Sequence, residues 1–290
     1  MTDTLIILAG GASSRMKNSE GNSSLSPEEI KQANSKSKGL ISIDDKGRPI
    51  LDYLLFNAKK AGYEKIIFVV SDSGSGHFKE LYGEKTKDND FNGLKISYAT
   101  QHIPENREKP LGTADAVFQA IEQFAELKSK EFAVCNSDNL YTINGLLKIR
   151  TQEWNNALLG YDRDALQFSS ERISRFAILK LDQEDYLIDI IEKPELSNLE
   201  VFADEKGKLR VSMNIFKFNG KDLFEYFRDC PMHPVRNEKE IPSVLKNFID
   251  KENGEIKVIP ISEHVPDLTS KEDISEMKSF INKNYGQLDW

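Results

Sequence analysis

The sequence predicts an α/β fold, a three-layer α/β/α sandwich around a mixed, mostly parallel central sheet. Three observations carry this prediction. Leu5-Ile6-Ile7-Leu8-Ala9 and Ile66-Ile67-Phe68-Val69-Val70 are continuous apolar runs without polar alternation, as expected of parallel strands covered on both faces. Between them, Pro49-Ile50-Leu51-Asp52-Tyr53-Leu54-Leu55 through Ala61-Gly62 has helical spacing, with Pro suited to the first turn and Gly to the end. Strand, helix and strand in this order form a right-handed βαβ unit. Further on, residues 175–181 and 186–192 alternate around the polar turn Asp182-Gln183-Glu184-Asp185, which predicts a hairpin and a small antiparallel portion spanning 175–218.

The 290 residues suffice for a sizeable core, and no linker rich in Pro, Gly or Ser divides them, so a single domain over 1–290 is expected. No apolar run approaches the ~18 residues that span a bilayer. Leu5 to Ala9 is too short, and lacks the basic leader, for a secretory signal. A cytoplasmic protein that does not engage membranes is therefore expected. Cys135 and Cys230 suggest neither a disulfide framework nor a zinc site. The net charge of -8 argues against a nucleic-acid groove, which shows a basic stripe. Small phosphorylated ligands remain allowed, provided that local Lys and Arg residues and a bound metal supply the attraction.

In chain order, the first strand runs into Gly10-Gly11-Ala12-Ser13-Ser14-Arg15. Glycines allow a sharp turn and close approach of backbone N–H groups to an anion, the serines add donors, and Arg15 adds a fork for phosphate oxygens. A plain turn with an exposed Arg is the alternative. Walker and dinucleotide loops are excluded by the missing Lys-Ser or Lys-Thr and the missing third glycine. Residues 17–37 are polar and read as a mobile loop with one short helix starting at Ser26-Pro27-Glu28-Glu29. Residues 71–93 form a charged excursion with a helix around 78–81, and 94–101 alternates as a strand ending in Gln101. Gly112 and Thr113 open a helix to residue 124, whose N-terminal amides favour anions. Phe132-Ala133-Val134-Cys135 is a strand that delivers Asp138 to its carboxyl end, where ligands of open α/β sheets bind, though an Asp there is also a common helix cap or turn former. Strands are expected at 157–161, 211–218 and 256–259, and helices at 240–249 and 270–285.

Leu8-Ala9-Gly10-Gly11 through Arg15-Met16 resembles the opening motif of nucleotidyltransferases with the glycosyltransferase-A-like fold, which include sugar-1-phosphate thymidylyl- and uridylyltransferases. Further blocks follow in the family's order: Ser37-Lys38-Gly39-Leu40, Gln101 with Pro110-Leu111-Gly112-Thr113-Ala114-Asp115-Ala116, Asn136-Ser137-Asp138, Glu192-Lys193-Pro194 and Asp267. The resemblance implies transfer of a nucleotidyl group from a nucleoside triphosphate, UTP or dTTP favoured, to a sugar 1-phosphate. It assigns catalytic roles to Arg15 and Lys38, with Lys36 a rival to Lys38 because Ser37 replaces the family's Pro. Leu8, Ala9, Gly10, Gly11, Gln101, Gly112 and Thr113 would bind the nucleotide. Asn139, Glu192, Lys193 and Asn214 would bind the acceptor, and Asp138 and Asp267 would hold Mg²⁺. A homo-oligomer is compatible with the family. Two other readings stay open: a non-sugar acceptor of the phosphocholine or molybdopterin type, and a catalytically silent domain that binds a nucleotide sugar.

Overall fold

The computed structural model describes residues 1–20, 25–174, 176–192 and 196–290. Its strands are β1 (Thr4–Leu8), β2 (Lys65–Ser71), β3 (Asn89–Phe91), β4 (Leu94–Gln101), β5 (Glu131–Asn136), β6 (Ala157–Asp162), β7 (Ile178–Leu181), β8 (Leu187–Ile191), β9 (Arg210–Asn219) and β10 (Lys257–Ile261). The main sheet runs β10-β6-β9-β5-β1-β2-β4-β3, with the β7–β8 hairpin attached to β9. Neighbours pair in parallel at β10/β6, β5/β1, β1/β2 and β2/β4. They pair antiparallel around β9 and at the β3 edge.

The helices are α1 (Ser14–Asn18), α2 (Pro27–Ser35), α3 (Ile50–Lys60), α4 (Ser75–Tyr82), α5 (Thr113–Gln123), α6 (Ile143–Thr151), α7 (Ser170–Ile173), α8 (Gly220–Arg228), α9 (Ile241–Glu252) and α10 (Glu272–Asn284). They form two layers, and β1 shows why. Leu5 and Ile7 pack into a core with α3, α6 and α10, while Ile6 packs into a second core with α5, α8 and α9. A strand buried on both faces cannot alternate apolar and polar residues, and this is why the aliphatic run was legible.

Two expectations need correction. The stretch 17–37 holds the helix expected from Ser26, since α2 runs for nine residues and opens with a capping box in which Ser26 and Glu29 satisfy each other's backbone N–H, but that helix is docked rather than part of a mobile loop. Ala33 is buried, and Lys278 of α10 reaches Glu29 at 2.7 Å, so the polar composition hides a docked helix. The excursion 71–93 ends in β3, joined to β4 by Asn92 and Gly93 at φ 52° and 84°. Asn-Gly with both residues left-handed suits a tight hairpin, and that dipeptide was the available signal.

Candidate active site

The chain leaves β1 toward β2 on one side, while β5 pairs with β1 on the other. Such a reversal opens a crevice at the carboxyl ends of the strands. The loop after β1 lies there, with Ser13 in the left-handed region at φ 55° and Arg15 exposed on α1. Its base is fastened from three sides. Ala9 N donates to Val69 O at 2.8 Å, Ser137 N donates to Leu8 O at 3.1 Å, and the Ser37 hydroxyl donates to Ala9 O at 3.2 Å.

A cavity of about 390 Å³ opens over this loop, and Leu8, Ala9, Gly10, Gly11, Arg15, Lys38, Gln101, Gly112, Thr113 and Asp138 all line it. Gly112 must be glycine here. Its φ is +120°, and a Cβ would lie 2.4 Å from Lys239 O. Thr113 does not cap its own helix: its hydroxyl accepts from Ile241 N at 3.1 Å and so serves the start of α9. A second cavity, of about 770 Å³, adjoins the first and is lined by Asn139, Asn214, Asp267 and Arg172. Arg15, Lys38, Asn136 and Asp138 line both. Asn214 reaches the second cavity because β9 bulges: Leu158 faces Phe216 but Gly160 already faces Ser212, and Asn214 adopts φ 56° in between.

At the seam of the two cavities, Lys38 Nζ donates to Asp138 Oδ2 at 2.8 Å, with side chains only 15% and 20% exposed. Lys38, rather than Lys36, lines the cavities. Gly39 makes the placement feasible, since a Cβ there would meet Leu51 Cγ at 2.9 Å and Ser137 O at 3.0 Å. Asp267 joins from the far end of the chain. Asn139 and Asp267 form an antiparallel bridge, with Leu268 N donating to Asp138 O and Leu140 N to Pro266 O, both at 2.9 Å.

Arg172 on α7 is a member of this site that sequence reasoning missed. Its guanidinium donates to Asp267 O at 2.9 Å and Oδ2 at 2.8 Å, pairs with Asp273, and lies 4.4 Å from the centre of the Phe168 ring. The Thr269 hydroxyl also donates to Asp267 Oδ2, at 2.8 Å. Burial first, and the Asp138 carboxylate second, push the Asp267 carboxyl above its ordinary range, while Arg172 and Thr269 pull it back. Nothing local in Ser169-Ser170-Glu171-Arg172 announced this role.

The donor set suits a hard cation. Two partly buried carboxylates line the same cavity, and the hydrogen bonds from Lys38, Arg172 and Thr269 all fall on Oδ2, leaving Oδ1 of each for a cation of the Mg²⁺ type.

One expected residue goes elsewhere. Glu192 ion-pairs with Arg236 and lines a separate cavity with His233 and Glu240, away from the seam. Glu192, His233 and Glu240 bring potential metal-ligand atoms within 4.8 Å of one another. Arg236, however, already ion-pairs with both carboxylates, and His233 Nδ1 accepts the N–H groups of Val235 and Arg236. Lys193 and Pro194, together with Arg175 at the expected start of the hairpin, lie outside the described residues. No helix among the described residues is long and apolar enough to cross a membrane.

The chain is 25% identical over 259 residues to the bifunctional protein GlmU of Staphylococcus haemolyticus, a match covering 89% of this chain and 48% of that protein. It is 29% identical over 130 residues to the glucose-1-phosphate adenylyltransferase small subunit of Triticum aestivum, covering 45% of this chain and 27% of that one. The chain thus spans about half, or less, of the curated relatives it matches. Its fold is similar to the crystal structure of a UDP-glucose pyrophosphorylase complexed with UDP-glucose, with a TM-score of 0.70 at 16% identity over 98% of this chain and 99% of that one. A family model for nucleotidyl transferases matches residues 4–285, and the chain belongs to that family.

Proposed function

We propose that this chain transfers a nucleotidyl group from a nucleoside triphosphate, UTP or dTTP favoured, to a sugar 1-phosphate, giving a nucleotide sugar and pyrophosphate. One observation carries the reading: two adjoining cavities share the Lys38–Asp138 pair at their seam, as a reaction between two bound phosphates requires. An oxygen of the acceptor phosphate attacks the α-phosphorus, and the bond from that phosphorus to the oxygen bridging the β-phosphate breaks. Pyrophosphate leaves with the electron pair, so no protein nucleophile is needed. Catalysis then rests on in-line positioning and on neutralising the charge around phosphorus.

In this reading Arg15 holds the β- and γ-phosphates and Lys38 swings from Asp138 to the α-phosphoryl group. Leu8, Ala9, Gly10, Gly11, Gly112 and Thr113 cradle the nucleotide, and Gln101 meets its base. Asn139 and Asn214 contact the acceptor, with Lys193 for its phosphate and Glu192 for its hydroxyls once it leaves Arg236. Asp138 and Asp267 hold Mg²⁺, which when bound would neutralise phosphate oxygens.

A second reading, an acceptor that carries a cationic group, of the phosphocholine type, draws on the second cavity. Its α10 wall carries Glu272 and Glu276 one turn apart. The test crosses nucleoside triphosphates with sugar 1-phosphates and phosphocholine in the presence of Mg²⁺ and measures pyrophosphate. Release with one sugar phosphate supports the first reading, and release only with phosphocholine supports the second. Binding of triphosphate without release from any pair points to a silent binding domain.

A further inference from the structure

Gln101 offers the first cavity only one kind of group. Its Nε2 donates to Gly112 O at 3.0 Å and to Asp115 Oδ2 at 3.1 Å, which uses both amide hydrogens. Asp115 is held in turn. Gln119 Nε2 donates to the same Oδ2 at 2.8 Å and to His102 O at 3.1 Å, while Gln119 Oε1 accepts from His102 N at 2.8 Å. One turn on, Gln123 repeats the exchange with Thr100 N and O, both at 2.8 Å. Asp115, Gln119 and Gln123 thus form a stripe of α5 laced to the end of β4.

Gln101 and Asp115 are only 3% and 5% exposed, so water does not compensate for a mismatch. Turning the amide over would aim Oε1 at two acceptors, Gly112 O and the Asp115 carboxylate, and leave both without their donor. What remains for the cavity is Oε1, beside Gly10, where an added Cβ would lie 3.1 Å from it.

We propose that Asp115 is a specificity-determining positioning residue: it locks the Gln101 amide so that the nucleotide's base must donate an N–H to Oε1, and an edge presenting a lone pair there is rejected. This rests on the nucleotide-binding reading above.

The test is titration calorimetry of the full chain with UTP, dTTP, CTP and ATP and their methylated counterparts 3-methyl-UTP, 3-methyl-dTTP, N4,N4-dimethyl-CTP and N6,N6-dimethyl-ATP. For the triphosphate bound best, methylation should weaken binding by about a hundredfold or more, because the site's buried acceptor is left unpaired. Asp115→Asn, whose amide oxygen still accepts, should keep that discrimination. Asp115→Ala leaves Gly112 O alone to hold the Gln101 amide and should lower the discrimination at least about fivefold. If Asp115→Ala does not fold, Gln119→Ala, which removes the donor steadying Asp115, should lower the discrimination likewise. A methylated analogue bound as well as its parent by the unaltered chain overturns the proposal, as does full discrimination retained by a folded Asp115→Ala protein. If none of the parent triphosphates binds, the nucleotide-binding reading itself fails, which separates the two.

Discussion

Replacing Asp138 by alanine separates the chemistry of the seam from the stability of the fold. Asp138 contacts Lys38 at 2.8 Å and raises the Asp267 carboxyl by its charge, so the substitution removes one attraction and one repulsion. Removing one partner of a mostly buried pair costs more than losing a surface pair, about 2 kcal/mol, and relief of the carboxylate repulsion offsets part of it. Thermal unfolding should therefore move by no more than about 4 °C. Turnover is another matter. Losing one charge contact at the reacting phosphorus costs on the order of 3 kcal/mol of transition-state stabilisation, which is roughly a 150-fold fall in rate. The assay is pyrophosphate release at saturating triphosphate and acceptor, with Mg²⁺ varied over a wide range, beside a melting curve of the same preparation. A folded Asp138→Ala protein that retains full turnover would refute the assignment of this carboxylate to metal and phosphoryl transfer.

Arg15→Ala, at an exposed position, should leave the melting temperature unchanged but raise the triphosphate KM by about tenfold, the worth of one charged hydrogen bond; unchanged kinetics would reject the phosphate-loop reading. Gly112→Ala puts a methyl 2.4 Å from Lys239 O at a φ of +120° and should cost about 2–4 kcal/mol in chemical denaturation while weakening triphosphate binding. A wild-type denaturation curve would show that the start of α5 can give way. Burial, helped by the Arg172 charge, lowers His264 from 6.5 to about 4. Native His264 thus stays neutral while the unfolded chain takes up a proton, so stability is lost as pH falls from about 6.5 toward about 4. His264→Gln should remove this component, on the order of 2 kcal/mol at a partly open position, and an unchanged pH slope would contradict the assignment.

Much of the fold was legible because its signals are local. The aliphatic runs of β1 and β2, the Pro-to-Gly span of α3, the strand ending at Gln101 and the turn 182–185 each depend on residues adjacent in the chain. The same holds for the glycine loop after β1 and for Lys38, Gln101, Gly112 and Asp138, which lie at the ends of strands or the starts of helices and so reach one cavity once the strand order is set. The start of α2 was legible from Ser26-Pro27-Glu28-Glu29, but its docking was not, because its composition is polar and Lys278 lies on a distant helix.

By itself, then, the amino-acid order determined the βαβ core and the glycine turn after β1, since periodicity and turn chemistry act over a few positions, and its resemblance to a known family supplied the list of candidate site residues. Only the tertiary structure decided which of those residues meet. It joined Asp267 to Asp138 by backbone pairing, brought Arg172 from a four-residue helix onto Asp267, turned Gln101 with the Asp115 stripe, and drew Glu192 to Arg236. These are contacts between segments far apart in the chain, set by packing and charge neutralisation, and no local pattern encodes them.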